Sequence, residues 1–360
     1  MANPLGDLIL ITLILDCQYG STGKGNLAGF LASQIQPKSA MSLNAPNAGH
    51  SAYKNGKKYV FCALPIAAIE KSVEYVFLGP GSVINLENLA KEIAELPNKK
   101  FIYLHEGAAY VTQEDRDDEK SLVRIGSTMK GTSAAVARKL SRTPGGTVGS
   151  NEEIKKQLQD LGVQVRTAWE YQRLIMSCFK DGDIIAEGSQ GFSLSINQGG
   201  FYPYCTSRDC TTAQAIADLG IPWPLVKDKE NFKVVGVART YPIRVANRFN
   251  EAGEQIGTSG PCYPDQQETS FETIGVPVEY TTVTKLPRRV FTFSTQQILD
   301  AVEANGIDEI AVTFLDYLDA AGRESFLGEL AFALQGTGAR IRYLADAADH
   351  VSDLDLVTSV

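Results

Sequence analysis

Short runs of apolar, β-branched and aromatic residues recur along the chain, and stretches with helical spacing lie between them. The runs predict strands at residues 8–16, 74–78, 100–104, 183–187, 233–239 and 309–315. The spacing predicts helices at residues 24–35, 86–96 and 295–305, the second with Asn85 as its N-cap. This alternation is typical of an α/β fold with a mainly parallel central sheet and helices on both faces.

Length and composition narrow the class of protein. The chain has 360 residues, 44% hydrophobic and 21% charged, and we expect a single domain over residues 1–360 with irregular excursions. The net charge of −8 argues against non-specific binding to nucleic acid or to an anionic membrane. A small anionic ligand is compatible with that charge, because backbone amides and a few cations bind it locally.

Several segments indicate what kind of site to exclude. The six scattered cysteines and three histidines argue against a zinc site or a disulfide framework and favour reduced thiols. The apolar run 8–15 is too short for a membrane span, so we expect a cytoplasmic protein. The acidic run 114–119 predicts a solvated loop rather than a metal site, and residues 250–265 predict an irregular excursion.

Glycine-rich turns follow three of the predicted strands, at residues 20–25, 79–81 and 188–191. Ligands collect at the carboxyl ends of strands in open α/β sheets, so we expect these turns to share one cleft. The first turn leads into a helix, whose free N–H groups favour phosphate, and Lys24 adds a positive charge. Gly25 stands where the common P-loop has Ser or Thr, so a tight turn without a ligand remains an alternative.

A histidine lies in a second loop of small residues, at 47–51 (NAGHS). His50 falls outside any apolar periodicity. An imidazole in such a place suits a cationic or proton-donating role toward an oxygen that develops charge.

These loops together resemble the adenylosuccinate synthetase family, whose phosphate loop reads Gly-Asp-Glu-Gly-Lys-Gly-Lys and whose histidine loop reads Asn-Ala-Gly-His-Thr. The resemblance continues in order through GPGSVI, IGSTMKG, EGSQGFSLSINQGGFYPYCTS, VGVARTYPIRV, EYTTVTKLPRR and TFLD, at residues 79–84, 125–131, 187–207, 235–245, 279–289 and 313–316. It implies a P-loop-like fold and a Mg²⁺-dependent ligase. In that family a triphosphate phosphorylates O6 of a purine nucleotide, and the amine of L-aspartate then displaces the phosphate at C6.

The resemblance also implies roles for individual residues. The catalytic residues would be Ser21, Lys24 and His50. The triphosphate would bind Ser21, Thr22, Gly23, Lys24, Gly25, Asn26 and Asp316. The nucleotide monophosphate would contact Ser21, Asn47, Ser127, Thr128, Arg142, Gln190 and Thr206. Aspartate would contact Thr282, Val283, Thr284 and Arg288, and Mg²⁺ would contact Ser21 and the Gly49 carbonyl. Arg142 would reach the phosphate from the second subunit of a homodimer, with Arg138 as a competing alignment.

Two departures from the family pattern bear on the substrate. Ser21 replaces the family's aspartate base, and a hydroxyl is a poor base near neutral pH. The smaller side chain leaves space for a 2-amino group, which guanine carries and hypoxanthine lacks. Leu286 replaces an arginine that contacts the ribose, and its apolar surface suits a deoxyribose. A viral branch of the family joins aspartate to dGMP, and the resemblance to that branch implies dGMP as the substrate.

A third departure concerns the phosphoryl donor. The family reads the guanine of GTP with a Lys-x-Asp stretch, which here is Phe314-Leu315-Asp316, and the later Gly-Pro turn is absent. Phe314 could stack on adenine, which favours ATP or dATP. The alternatives are an ordinary adenylosuccinate synthetase acting on IMP with GTP, and a catalytically inactive nucleotide-binding regulator.

Overall fold

A ten-stranded sheet forms the centre of the computed structural model, which describes residues 9–121, 129–281 and 285–357. All neighbouring strands are parallel except the last pair along the chain, which is antiparallel. In spatial order the strands are His350–Asp353, Arg340–Ala347, Glu309–Thr313, Phe232–Arg239, Ile11–Asp16, Ile184–Glu187, Ser39–Ser42, Tyr75–Leu78, Phe101–His105 and Val163–Arg166. The α/β class with a mainly parallel sheet is confirmed.

Two hydrophobic cores cover the two faces of this sheet. The strand Ile11–Asp16 is buried throughout, and its successive side chains alternate between the cores: Ile14 belongs to one, Leu13 and Leu15 to the other. Strands buried on both faces often read as continuous apolar runs, and six of the ten strands were predicted from such runs. The sequence analysis missed the strands Ser39–Ser42, Val163–Arg166, Arg340–Ala347 and His350–Asp353. The first core includes Leu27 and Leu31 of the helix that follows the first strand. Helices therefore pack on both faces, as predicted.

The helices agree closely with the three sequence predictions. Two of those three have the predicted bounds, and the third ends one residue early with the Asn85 side chain accepting from the Asn88 N–H at 3.0 Å. The helices of the described residues are Lys24–Ile35, Leu86–Glu95, Gln113–Ser121, Thr132–Leu140, Glu152–Asp160, Ala168–Cys178, Thr212–Leu219, Thr295–Asn305, Ala320–Ala333 and Leu354–Val357.

Smaller elements surround the sheet. Short 3₁₀ turns occur at Ile66–Ile69, Val148–Ser150, Phe179–Asp181, Phe192–Leu194, Trp223–Leu225 and Leu315–Tyr317. The pairs His50–Lys54 with Lys57–Phe61, Val83–Ile84 with Ala109–Tyr110, and Arg248–Phe249 with Gln255–Gly257 form two-stranded sheets, and Ile243–Arg244, Arg289–Phe291 and Glu268–Thr269 form a three-stranded one. The stretch 250–265 thus contains part of a hairpin rather than irregular chain alone.

The acidic run 114–119 is where the sequence prediction was wrong. It lies in the helix Gln113–Ser121, and two of its acids are buried. Asp115 pairs with Arg138 at 3.0 Å, and Glu119 accepts from the backbone N–H groups of Gly131 and Ser133 at 2.8 and 2.6 Å. These long-range partners turn apparent solvent-facing acids into packing residues.

The structure bears on two further expectations. None of the described helices is long and apolar enough to cross a membrane. All six cysteines are free thiols. The single-domain organisation stays a prediction.

Candidate active site

The phosphate loop joins the central strand Ile11–Asp16 to the helix Lys24–Ile35, and a buried carboxylate shapes it. Asp16 Oδ1 accepts from the N–H groups of Gln18 and Gly20 at 2.8 and 3.2 Å. Its Oδ2 accepts from the Thr22 hydroxyl at 2.5 Å and from Lys24 Nζ at 3.0 Å. Both oxygens of Asp16 are thus used inside the loop, so this carboxylate holds the turn in shape.

The first turn of the helix that follows the loop offers backbone N–H groups to an anion. Its N-cap, Gly23, is left-handed at φ 88° and provides no side chain to cap the helix, and the first turn contains no acid. The first backbone N–H groups of a helix have no intrahelical acceptor and sit at the positive end of its dipole. Together they form a site suited to phosphate oxygens.

Lys24 connects two of the three glycine-rich turns. Its Nζ donates to the Gln190 carbonyl at 2.7 Å as well as to Asp16. A Cβ on Gly191 would lie 2.4 Å from the Gln18 carbonyl oxygen, so only glycine lets the turn 188–191 lie directly against the phosphate loop. The predicted shared cleft is present for these two turns.

The third turn has a packing reason for its glycines. A Cβ on Gly79 would lie 2.2 Å from the Asp218 carbonyl oxygen, and a Cβ on Gly81 would lie 2.3 Å from the Asp218 side chain. The turn 79–81 therefore seats the helix Thr212–Leu219 against the sheet. Its glycines are explained without a ligand.

Gly25 explains why this phosphate loop departs from the common spelling. A Cβ there would lie 2.5 Å from the Ser51 nitrogen and 3.0 Å from the His50 Cβ. The helix Lys24–Ile35 and the strand His50–Lys54 therefore approach each other at this glycine. The residue after Lys24 brings the histidine to the phosphate loop.

We predict that Gly25→Ala lowers the free energy of unfolding by about 1–3 kcal/mol, because the Ser51 backbone must move to admit the methyl group. Denaturant unfolding measures the change. Gly328→Ala is the matched control: it lies in the helix Ala320–Ala333, has open space around it, and should gain about 0.5–1 kcal/mol. Equal stability of the Gly25 variant and the wild type would contradict the close approach.

A buried carboxylate orients His50. The His50 Nδ1 lies 2.6 Å from Glu187 Oε2, and the other oxygen of Glu187 accepts from the Ala67 N–H at 3.0 Å. Nδ1 therefore carries a proton toward the carboxylate, and the ring is fixed with its other nitrogen turned away. His50 Nε2 is buried and has no hydrogen-bond partner within the described residues. Sequence reasoning missed Glu187, although a carboxylate at the end of a strand leading into a glycine-rich turn was a usable signal.

Other buried polar atoms, which follow the strands Ser39–Ser42 and Ile184–Glu187, lack partners in the described part of the chain. They are the Asn47 Oδ1, both amide atoms of Asn44 and the Ser189 hydroxyl. Asn47 was predicted to contact a nucleotide, whereas Asn44 and Ser189 were not singled out. Unpaired buried polar groups are costly, so their occurrence just after the carboxyl ends of neighbouring strands fits a site that a polar ligand completes.

Ser21 occupies a strained position at the mouth of this site. Its residue is exposed, its φ is 55°, and its carbonyl accepts from Arg239 Nη1 at 3.0 Å. The left-handed region costs about 1–2 kcal/mol for a residue other than glycine, so surrounding contacts must hold it. The bond from Arg239 holds the Ser21 backbone, and sequence reasoning missed Arg239.

The chain matches a known protein family over most of its length. The adenylosuccinate synthetase family model matches residues 13–170 and 147–323. The chain is 45% identical over 324 residues to N6-succino-2-amino-2'-deoxyadenylate synthase of Salmonella phage PMBT28, covering 86% of each chain. The chain belongs to the adenylosuccinate synthetase family.

Solved structures agree with this membership. The succinoaminodeoxyadenylate synthetase of cyanophage S-2L, bound to dGMP and to dATP as an energy donor, has a TM-score of 0.87 and 41% identity, over 96% of this chain and 95% of that one. Adenylosuccinate synthetase of Plasmodium falciparum shares the fold at a TM-score of 0.74 and 19% identity, over 95% of this chain and 98% of that one. The P-loop-like adenylosuccinate synthetase fold is confirmed.

The family resemblance assigns residues 282–284 to aspartate binding, and the structure describes the residues on either side of them. Residues 279–281 and 286–288 pair across it: the Thr281 N–H donates to the Leu286 carbonyl at 2.9 Å and the Arg288 N–H to the Glu279 carbonyl at 2.8 Å. Burial lowers the pKa of Arg288, and the charge of Glu279 opposes that shift. An arginine guanidinium is charged at neutral pH in proteins. Leu286 is exposed at 38%. The predicted residues Thr282, Val283 and Thr284 lie outside the described residues.

The region assigned to the donor base lies beside the phosphate loop. Phe314 has φ 57°, and its carbonyl accepts from the Thr240 hydroxyl at 2.8 Å. The Arg239 guanidinium covers one face of its ring, at 3.8 Å from the centroid. Asp316 is exposed on the next turn, and Asn26 Nδ2 reaches the Ala347 carbonyl at 3.5 Å. A shallow depression adjoins these residues and is lined in part by Asn26, Thr313, Ala345 and Val351.

The two arginines proposed for the dimer contact differ in their surroundings. Arg138 donates to Asp115, to the Tyr110 carbonyl at 2.6 Å and to the Gly145 carbonyl at 3.1 Å, so its own chain uses it fully. Arg142 is exposed, with φ 56°. This favours Arg142 as the residue free to reach another subunit.

Thr206 is half-buried, its N–H bonded to the Leu194 carbonyl at 2.8 Å, whereas Ser127 and Thr128 lie outside the described residues.

The oxygen donors of the site fit a partly protein-held Mg²⁺ ion. Among the described residues no group of three His, Cys, Asp or Glu could hold a metal. Asp16 is used within the loop, and the oxygen donors that the family resemblance assigns to the metal, the Ser21 hydroxyl and the Gly49 carbonyl, belong to exposed residues. Mg²⁺ is commonly held by one or two protein oxygens together with substrate phosphates and waters. Such a donor set fits a metal that arrives with the triphosphate.

Proposed function

We propose that this protein is a ligase that joins L-aspartate to C6 of dGMP, with hydrolysis of ATP or dATP, through a 6-phosphoryl intermediate. The product is 2-amino-2'-deoxy-N6-succinoadenylate, a precursor of 2-aminoadenine in DNA. The observation that carries the proposal is the neutral, exposed Ser21 in a phosphate loop that also holds the buried Lys24 and that the buried His50 approaches at Gly25. The similarity to phage enzymes of this name supports it.

In the first step the γ-phosphoryl group moves from the donor to O6 of dGMP, the nucleoside diphosphate leaves, and the N1 proton passes to water or to a phosphate oxygen of the donor. Lys24 and the N–H groups at the start of the helix Lys24–Ile35 bind the phosphate oxygens. His50 Nε2, when protonated, donates to the oxygen on which charge develops, and Glu187 stabilises the imidazolium through Nδ1. Mg²⁺, which Ser21 and Gly49 would help to hold, neutralises phosphate charge when bound.

In the second step the amine of aspartate attacks C6 and the phosphate leaves. Arg288 binds a carboxylate of aspartate, for which its planar guanidinium provides paired donors. The resemblance assigns the remaining aspartate contacts to 282–284.

Ser21 contributes space and a hydrogen bond rather than a base. A serine hydroxyl is protonated near neutral pH, so it removes the N1 proton poorly. It accepts a hydrogen bond from the 2-amino group of guanine instead. Electrostatic stabilisation of the transferring phosphoryl group by Lys24 and His50 then carries most of the rate.

The remaining assignments are part of the same proposal. Asn47, Ser127, Thr128, Gln190 and Thr206 contact dGMP, and Arg142 completes the phosphate site from the second subunit of a homodimer. Leu286 contacts the deoxyribose. Thr22, Gly23, Gly25, Asn26 and Asp316 contact the donor, with Phe314 against adenine. The phage origin of the relatives supports an enzyme of the host cytoplasm.

The test offers dGMP, GMP, dIMP or IMP to the purified protein with Mg²⁺, aspartate and ATP, dATP or GTP. Phosphate release and mass detection of the succino product report turnover. We expect product from dGMP with ATP or dATP and little from IMP. Product from IMP with GTP alone would identify an ordinary adenylosuccinate synthetase. Binding without product from any of the four would instead favour a nucleotide-binding regulator.

A further inference from the structure

Arg239 is a completely buried arginine at the carboxyl end of a central strand. The strand Phe232–Arg239 lies between the strand Ile11–Asp16 and the strand Glu309–Thr313. The Gln18 side chain fixes its end: Oε1 accepts from the Arg239 N–H at 2.9 Å, and Nε2 donates to the Arg239 carbonyl at 3.1 Å. The side chain is 0% exposed, so its charge depends on protein partners rather than water.

The guanidinium joins the phosphate loop to Glu279, which lies just before the segment 282–284 assigned to aspartate. Nη1 donates to the Ser21 carbonyl at 3.0 Å. Nη1 and Nη2 both donate to the Glu279 carboxylate, and the Tyr317 hydroxyl donates to the same carboxylate at 3.1 Å. Glu279 also accepts the Arg288 N–H through its carbonyl. One side chain thus spans the residues assigned to two different substrates.

The same guanidinium reaches the donor-base residues. Its central carbon lies 3.8 Å from the centroid of the Phe314 ring, and the Phe314 and Tyr317 rings pack edge to face at 5.2 Å between centroids. A guanidinium over an aromatic face is attractive, more so when both are shielded from water. The phosphate loop, the donor-base residues and Glu279, which precedes the segment assigned to aspartate, therefore meet at Arg239.

We propose that Arg239 is a positioning residue that couples the binding of aspartate to the binding of the triphosphate, through its simultaneous contacts with Ser21 and Glu279. This inference rests on the proposed function of the site. A triphosphate that fixes the Ser21 turn also fixes Arg239 and, through Glu279, the backbone of Arg288, whose N–H donates to the Glu279 carbonyl. Coupling between two sites is reciprocal, so aspartate must favour the triphosphate by the same factor.

Arginine is required because one group makes three kinds of contact. Its planar fork donates to a carbonyl and to a carboxylate at once, and its flat face stacks on Phe314. Lysine keeps the charge as a single point on a flexible stem, so it cannot hold both ends while stacking. Arg239→Lys therefore keeps the positive charge but removes the simultaneous contacts with Ser21, Glu279 and Phe314.

Calorimetry measures the coupling directly. Aspartate is titrated into enzyme saturated with dGMP, with and without a non-hydrolysable ATP analogue and Mg²⁺, and the ratio of the two dissociation constants is the coupling factor. We expect a factor of about ten or more in the wild type. Arg239→Lys should abolish it. Glu279→Gln, a milder change on a side chain 24% exposed, should reduce it severalfold without changing the affinity for dGMP.

Arg342→Lys is the matched control. Arg342 also binds two acids, Glu309 at 2.8 Å and Asp353 at 3.0 Å, but within the three strands at one side of the sheet, away from the phosphate loop. It should keep wild-type coupling. The inference is overturned by absent coupling in the wild type, by wild-type coupling in both Arg239→Lys and Glu279→Gln, or by equal loss in Arg342→Lys. If the wild type binds IMP rather than dGMP, the same titration is run with IMP, and only the substrate assignment falls.

Discussion

Replacing Ser21 by aspartate should lower turnover of dGMP roughly a hundredfold, because a carboxylate would occupy the space that the serine leaves for the 2-amino group. The backbone should tolerate the change: aspartate is among the few residues that enter the left-handed region, and Ser21 is exposed. The loss should therefore appear in kcat/KM for dGMP rather than in stability. Steady-state kinetics with dGMP and IMP, together with denaturant unfolding, measure both quantities.

Ser21→Ala is the control for this variant, since it removes the hydroxyl without adding volume. We expect it to lose less activity on dGMP than the aspartate variant, and the aspartate variant to gain relative preference for IMP. Full turnover of dGMP by Ser21→Asp would contradict the steric argument. It would mean that the carboxylate fits beside guanine and accepts from both its N1–H and its 2-amino group.

The central fold was predictable because its signal is local. The strand Ile11–Asp16 and the helix Lys24–Ile35 follow from runs and periodicities a dozen residues long, and the structure has them at or near the predicted bounds. The strand expected at 309–315 ends at Thr313, since the left-handed Phe314 breaks it and a 3₁₀ turn begins at Leu315. No periodicity announces such a residue. It is held by contacts from Thr240 and Arg239, more than seventy positions earlier.

The site was predictable only where one residue type marks it. Lys24 and His50 stand out in loops of small residues, and the structure brings both to the same cleft. Glu187 and Arg239 did not stand out, because their importance comes from pairs distant in sequence, with His50 and with Ser21. The prediction of a solvated loop at 114–119 failed for the same reason. Two acids of the helix Gln113–Ser121 are buried by partners distant in sequence, Arg138 and the start of the next helix.

His50→Asn should lower kcat about a hundredfold to ten-thousandfold, the usual effect of removing a proton-donating group. Asparagine keeps polarity and similar reach, but it carries no charge and cannot present a protonated Nε2 to O6. The affinity for dGMP should change little if His50 acts mainly on the charge that develops during phosphoryl transfer. Single-turnover formation of the 6-phosphoryl species and equilibrium binding of dGMP separate the two effects. A kcat near that of the wild type would remove His50 from the chemistry.

Glu187→Gln tests whether the buried carboxylate works through that histidine. Glutamine keeps the shape, but it offers Nδ1 a neutral acceptor in place of a charged one, and we expect kcat to fall about tenfold. If Glu187 acts only by orienting and stabilising the imidazolium, the double variant should be no slower than His50→Asn alone, because residues that act as a unit are strongly non-additive. Additive losses would give Glu187 an independent role, through its bond to the Ala67 N–H or through the substrate itself.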